Sequence, residues 1–261
     1  MSEMTEYPHA TFCWPELVAS DADAAKEFYA KLFGWTINDM PIGNDKIYSM
    51  ASIDGKEVGA LYQMWPEQEG QGVPTHWWSY VSVMDIEETV KKANSLGGQV
   101  IVEPMDVFDA GRMASVVDPG GAVFSLWQPM KHIGARLLNE HGALCWNELL
   151  TQDTEQASSF YTELFGWSTQ DMDMGDMIYT IFMNGEKPAA GMMKLGPGSG
   201  DVPPNWLVYF AVNDCDLSAD ETTRLGGNVI NPPVDIPNVG RFSVLSDSQG
   251  ALFAIIKLTP M

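Results

Sequence analysis

The sequence predicts an α+β fold made by tandem duplication: two similar units, each of two βαβββ modules whose strands join into a curved sheet cup with helices outside. Three observations carry that expectation. First, residues 13–40 (CWPELVASDADAAKEFYAKLFGWTINDM) align without a gap on 145–172 (CWNELLTQDTEQASSFYTELFGWSTQDM), with 14 of 28 positions identical at an offset of 132. The likeness continues at small shifts: HWWSYVSVMD (76–85) lies over NWLVYFAVND (205–214), LGG (96–98) over LGG (225–227), and GRMASVVDPGGAVFSLW (111–127) over GRFSVLSDSQGALFAII (240–256). Such self-similarity marks one folding unit copied in a chain. Second, within each unit a strand, an amphipathic helix and three strand-like runs occur twice. Third, strands follow each helix in threes, unlike the strict strand–helix alternation of parallel α/β sheets.

The elements follow in order. CWPEL is a short apolar strand. Asp21 has the position of a helix N-cap, its carboxylate facing the free amides of the first turn. Ala24, Ala25, Phe28, Tyr29, Leu32 and Phe33 then recur at helical spacing, and Gly34 closes the helix as a left-handed cap. Trp35 begins the return to the sheet and belongs to the core, as does Trp167. WTINDM, KIYSMASID and EVGALYQM are three strands, the last two joined at the hairpin signal Asp54-Gly55. WWSYVSVMD restarts the cycle, IEETVKKANSLGG is a helix ending at Gly97-Gly98, and QVIVEPMDV, RMASVVD and AVFSLWQ are strands, the last pair turned by Asp118-Pro119-Gly120-Gly121. The units run over 8–130 and 140–259. PMKHIGARLLNEHG (129–142) has no clear counterpart and reads as the linker, with ARLL as a short helical turn. GPGSG (196–200) reads as loop.

With 261 residues and 45% apolar side chains, the chain can bury a core without disulfides. Its net charge of −21 argues against nucleic acid and anionic membranes as partners, since both need a basic patch. The charge divides almost evenly between the halves and so marks no single site. Cys13, Cys145 and Cys215 cannot form a paired framework, which suits a reducing, cytoplasmic setting. Neither a basic-then-apolar leader nor an 18-residue apolar run is visible, so neither secretion nor a membrane span is expected.

The opening strand, the helix ending FYAKLFGW and the closing pair GRMASVVDPGGAVFSLW resemble the vicinal-oxygen-chelate superfamily, which holds glyoxalase I, bleomycin and fosfomycin resistance proteins and extradiol dioxygenases. The resemblance spans nearly the whole chain and implies the cup fold. It implies no single reaction. Catalytic members hold a divalent metal inside the cup through His or Glu, where it binds neighbouring substrate oxygens. Carried onto this chain, the ligand positions fall on Trp14, Ser79 and Ser125, and in the second half on Trp146, Val208 and Ala254. None is a good ligand, so no metal or other cofactor is expected. Glu16 and Glu148 lie two residues beyond Trp14 and Trp146, on the same strand face. They are candidate ligand-contacting acids or partners of the repeated Arg112 and Arg241. Trp127 shares the parity of Ser125, and Trp77 or Trp78 reaches the rim. His9 and His141 suit hydrogen bonds between repeats at strand ends. Cys13 and Cys145 should face the helix side, buried and inert. Cys215, near a helix start, should be the more reactive.

An aromatic concavity with few polar groups suits a small-molecule site. The expected function is metal-free binding of a small aromatic or amphipathic molecule in the N-terminal cup, with Trp14, Glu16, Ser79, Arg112, Ser125 and Trp127, and in the second half Trp146, Glu148 and Arg241, as contact residues. The second half, more apolar at Val208, Ala254 and Ile256, is expected to be the more filled copy. Two alternatives stand beside this: a lyase, isomerase or dioxygenase with a displaced metal, and a scaffold or regulatory protein with collapsed cups. Because duplication supplies within one chain the pairing of two units, the protein is expected as a monomer or homodimer.

Overall fold

The computed structural model describes residues 2–175, 177–196 and 202–259. The short β1 (Ser2–Glu3) precedes the first unit: β2 (Thr11–Ala19), α1 (Ala22–Phe33), β3 (Thr36–Gly43), β4 (Lys46–Ile53), β5 (Lys56–Gln63), α2 (Pro66–Gly70), β6 (His76–Ser82), α3 (Ile86–Ser95), β7 (Gln99–Val107), β8 (Gly111–Val117) and β9 (Val123–Pro129). After β10 (Leu137–Leu138), the second unit repeats the order as β11 (Leu144–Thr151), α4 (Thr154–Phe165), β12 (Ser168–Asp173), β13 (Ile178–Asn184), β14 (Lys187–Lys194), β15 (Asn205–Ala211), α5 (Cys215–Arg224), β16 (Asn228–Ile236), β17 (Gly240–Ser246) and β18 (Leu252–Leu258). Each unit forms one mixed eight-stranded sheet, in the orders β3-β4-β5-β2-β6-β9-β8-β7 and β12-β13-β14-β11-β15-β18-β17-β16. The two modules of a unit meet where β2 runs antiparallel to β6, and β11 to β15.

The helices form where the sequence places them, for the reasons it gives. Asp21 accepts a hydrogen bond from the Ala24 amide at 3.0 Å, and Gly34 turns left-handed at φ 72°. Asp153 and Gly166 do the same for α4. Asp85 and Asp214 cap α3 and α5.

The helices lie outside the cups and between the two sheets. The apolar face of α1 (Phe28, Tyr29, Leu32, Phe33) packs in one core with Phe210, Leu245 and Phe253 of the second unit. The matching face of α4 packs with Val81, Val116 and Phe124 of the first. Two reciprocal polar relays run through these cores. Trp77 Nε1 donates to the Tyr29 hydroxyl at 3.0 Å, which donates to Asp247 at 3.0 Å. Trp206 donates to Tyr161 at 2.9 Å, which donates to Asp118 at 2.9 Å. The helix motif FY of each unit therefore reads the late turn aspartate of the other. That carboxylate also accepts turn amides, from Ala122 in one copy and from Gln249 and Ala251 in the other. Trp35 and Trp167 are core residues, donating to the carbonyls of Gly142 and Ala10.

Two local expectations are corrected. ARLL is not a helical turn: Leu137 and Leu138 pair with Glu3 and Ser2 as a two-stranded ribbon. Cys13 does not face the helices either. A β-bulge between Phe12 and Trp14 breaks the alternation and leaves Cys13 in the cluster of Trp14, Tyr80 and Trp127. Gly196 aside, the GPGSG loop lies outside the described residues. Among the described residues, no helix is long and apolar enough to cross a membrane.

Candidate functional site

The concave face of the first sheet is set by register. Residues directly opposite on neighbouring strands share a face, and the β2–β6 ladder places Trp14 opposite Tyr80 and Glu16 opposite Trp78. On β5, Ala60 lies beside Glu16 and Tyr62 follows two residues on. Tyr48 of β4 stands opposite Tyr62, and Met40 of β3 opposite Tyr48. From the other module come Met113 and Trp127, opposite one another, with Met105 opposite Met113. The floor is thus aromatic and the walls are rich in methionine. Met40 and Met105 are exposed, and Tyr48, Met50, Trp78 and Met113 are half-buried.

Beneath this lining Glu16 is buried and accepts two tyrosine hydroxyls, Tyr48 at 2.5 Å and Tyr80 at 2.8 Å. Trp14 Nε1 donates in turn to Tyr48 at 3.1 Å. Burial pushes the Glu16 carboxyl above the ordinary carboxylate range, and the tyrosine hydrogen bonds oppose that only in part. Both tyrosines are pushed far up by burial and by the nearby carboxyl, so they remain hydroxyl donors. The second unit repeats most of the network: Trp146 donates to the Tyr179 hydroxyl at 3.0 Å and Tyr209 to Glu148 at 3.0 Å. Chemically, each network holds a protonatable carboxyl in a dry aromatic setting.

Two segments cover the first cup. Over one end, Tyr62 packs with Met64 and Val73, and the Trp65 ring lies tilted against Tyr62 at 5.3 Å beside α2. At the other, the linker brings the His132 ring edge-on to Trp14 at 4.6 Å. His132 Nε2 comes within 3.4 Å of Glu57 but outside hydrogen-bond geometry.

The sequence candidates divide accordingly. Trp14, Glu16 and Trp127 gather on the concave side, as do Trp146 and Glu148 in the second unit. Ser125 lies on the same side, fully buried and bonded to Ser115 at 2.9 Å. Ser79 does not join them. It stands opposite Pro15, one residue out of phase with Tyr80, and bonds Asn147 of the other unit at 2.6 Å. Val208 is likewise turned away, beside Tyr209. Nor do the repeated arginines reach the carboxyls. Arg112 pairs with Glu87 and Asp106, and Arg241 with Asp216 and Asp235. Each clamps the first turn of α3 or α5 to the neighbouring hairpin. The rings of His9 and His141 accept the amides of Met84 and Asn213 within their own units, while the His9 carbonyl accepts Asn184 Nδ2 of the second unit at 2.8 Å. Cys215 is buried and its thiol is pushed up to about 11, so it is not a reactive cysteine. The residues missed were Tyr48, Tyr80, Tyr179 and Tyr209. Their signal was present: IY recurs at 47–48 and 178–179, and Tyr80 and Tyr209 fall together in the aligned strands.

The fit to a metal can be tested on these donors. Among the described residues, no three of His, Cys, Asp and Glu converge as a ligand set. The carboxylate nearest the expected position, Glu16, already accepts two hydroxyls. These side chains do not fit the superfamily's metal.

Comparison with known proteins agrees with the architecture. The solved structures that share the fold include a Mn(II)-bound glyoxalase from Novosphingobium aromaticivorans (TM-score 0.68, 16% identity, 95% of this chain and 82% of that one). They also include the 2,3-dioxygenase LapB from Pseudomonas sp. KL28 (TM-score 0.62, 13% identity, 97% and 93%). In sequence the chain is 42% identical over 262 residues to a Mycobacterium tuberculosis protein named "Putative glyoxylase CFP32", covering 100% of this chain and 99% of the relative. It is 34% identical over 268 residues to the anthracycline biosynthesis protein DnrV of Streptomyces peucetius, covering 98% and 96%. Residues 8–126 and 141–255 each match the family profile, and the chain belongs to the Glyoxalase/Bleomycin resistance protein/Dioxygenase superfamily.

Proposed function

We propose that the protein binds a small, planar aromatic or amphipathic molecule in the cup of its N-terminal unit, without a metal. The observation that carries this reading is the lining. Tyr48, Met50, Trp78 and Met113 are half-buried, Met40 and Met105 are exposed above them, and all stand over the Glu16 network. Aromatic faces and thioethers adapt to flat apolar ligands, while a buried carboxyl and two hydroxyls fix orientation. The relationship to a protein named for anthracycline biosynthesis accords with this chemistry, since anthracyclines contain a flat fused-ring system.

The test is a thermal-shift and tryptophan-quenching titration with a panel of hydroxylated anthraquinones and naphthoquinones. A binder stabilises the folded state by mass action, by about 2.7 kcal/mol at a hundredfold excess over Kd. Trp78→Ala and Met113→Trp should each weaken the same compound at least tenfold. Binding unaffected by both variants, or a panel that moves neither signal, overturns the reading.

A further inference from the structure

The first cup contains a carboxyl with no cation beside it. Glu16 is 7% exposed, and its side chain meets the hydroxyls of Tyr48 and Tyr80. Among the described residues no lysine or arginine pairs with it, and Arg136 of the covering linker pairs with Glu57 instead. A carboxyl so placed keeps its proton more readily than an exposed one, because ionisation would put a charge where water is excluded.

The side chains of Trp14, Glu16, Tyr48 and Tyr80 make three hydrogen bonds with one another: Trp14 to Tyr48 at 3.1 Å, Tyr48 to Glu16 at 2.5 Å and Tyr80 to Glu16 at 2.8 Å. With Glu16 ionised, the indole and the two phenols supply one proton to each bond. With Glu16 protonated, four protons face three contacts, and one hydroxyl must turn elsewhere. Exposure decides which. Tyr80 is 3% exposed and Glu16 lies deep, whereas Tyr48 is half-buried and stands opposite the exposed Met40. A phenolic oxygen has two lone pairs, so that of Tyr48 can accept the Trp14 N–H and the Glu16 O–H together. Its own proton is then free for the cup, where a buried hydroxyl without an acceptor is costly.

We propose that Tyr48 donates this proton to a carbonyl oxygen of the bound molecule, so that the flat ligand of the first cup is a quinone or aryl ketone. The proposal rests on the aromatic-ligand reading of that cup and names the chemical group it selects. Tyr48 touches the ligand. Glu16 and Trp14 are positioning residues that fill its lone pairs and aim its O–H, and hydrogen bonds in series strengthen one another. The groups facing Glu16 are Tyr48 on β4, Tyr62 on β5, Tyr80 on β6 and His132 of the linker, with Glu57 and Arg136 behind His132. His132 favours the ionised carboxyl, and burial outweighs it. As pH rises through the raised Glu16 value, the carboxylate takes the Tyr48 proton back and the carbonyl loses its donor. Selection for a carbonyl is therefore full at low pH and fades as pH rises.

The probes are hydroxymethylanthraquinone and hydroxymethylanthracene, substituted at the same ring carbon. Both are uncharged and share one flat three-ring frame, and only the first carries carbonyls. Each is titrated into the full-length protein by tryptophan quenching. The anthracene is the more apolar and gains more from leaving water, so a preference for the quinone requires a donor in the site. The quinone should bind tighter by about tenfold at low pH, and Tyr48→Phe should bring the two affinities together. Infrared difference spectra need no variant: the carbonyl stretch of the bound quinone should fall below its value in an apolar solvent. Equal binding of the two compounds, a preference that grows with pH or survives Tyr48→Phe, or an unshifted stretch overturns the proposal while the aromatic-ligand reading stands. Binding of neither compound overturns both.

Discussion

Glu16 owes its behaviour to three aromatic neighbours that exclude water while two of them donate to it. A buried carboxyl of raised pKa holds its proton in the folded chain over a range where the unfolded chain has released it. Its contribution to stability is therefore full below the ordinary value of 4.5 and is lost as pH rises through the raised folded value. Urea unfolding of Glu16→Gln across that range should show a flatter pH dependence than the unaltered protein, and parallel curves would refute the assignment. Glu148, Asp118 and Asp247 are shifted in the same direction by burial, so the slope should diminish without vanishing. At Tyr29 the prediction is energetic. Tyr29→Phe strands the Trp77 N–H and one oxygen of Asp247 in the core, at a cost of about 1–3 kcal/mol, readable as a lowered denaturation midpoint with unchanged slope. Tyr161→Phe should match it, because the relay is repeated. Of these residues, Tyr29 was legible as part of a helix face. Its partner Asp247, 218 positions away, was not, because a hydrogen bond between units leaves no local pattern in sequence.

At the scale of elements, local chemistry was the most legible. Asp21 and Asp153 cap α1 and α4, and Gly34 and Gly166 end them, since these roles depend only on the nearest three or four residues. Asp153→Ala should remove the bond to the Gln156 amide and cost about 1 kcal/mol. Chemical unfolding measures it, and a loss below a few tenths would show that the cap is dispensable. Strand phase was less legible. Reading Ser79 as the concave residue erred by one position, and a one-residue slip turns a side chain to the opposite face. The register of β6 against β2 decides the matter, placing Tyr80 opposite Trp14. The bulge at Cys13 defeated the parity argument in the same way: alternation holds only while pairing is one-to-one. Arg112 and Arg241 were conspicuous as repeated cations, but repetition marks any shared role, and here the role is to clamp a helix start to a hairpin.

Across the whole molecule, the helix layer of each unit has the other unit as its cover. The cores containing α1 and α4 each draw on both sheets, and the Tyr–Asp relays cross between them. The chain should therefore unfold as one cooperative unit, with a calorimetric enthalpy equal to the van't Hoff value. Two resolved transitions would contradict this. The sequence by itself determined the duplication, the βαβββ order and the helix ends, because each is written in residues close together or at a constant offset. Only the tertiary structure decided which face each strand residue takes, that the helices of one unit pack against the other, and that the linker crosses the start of β2 and β5. Those depend on register and on contacts between residues far apart in the chain, where the energy of packing, not local propensity, makes the choice.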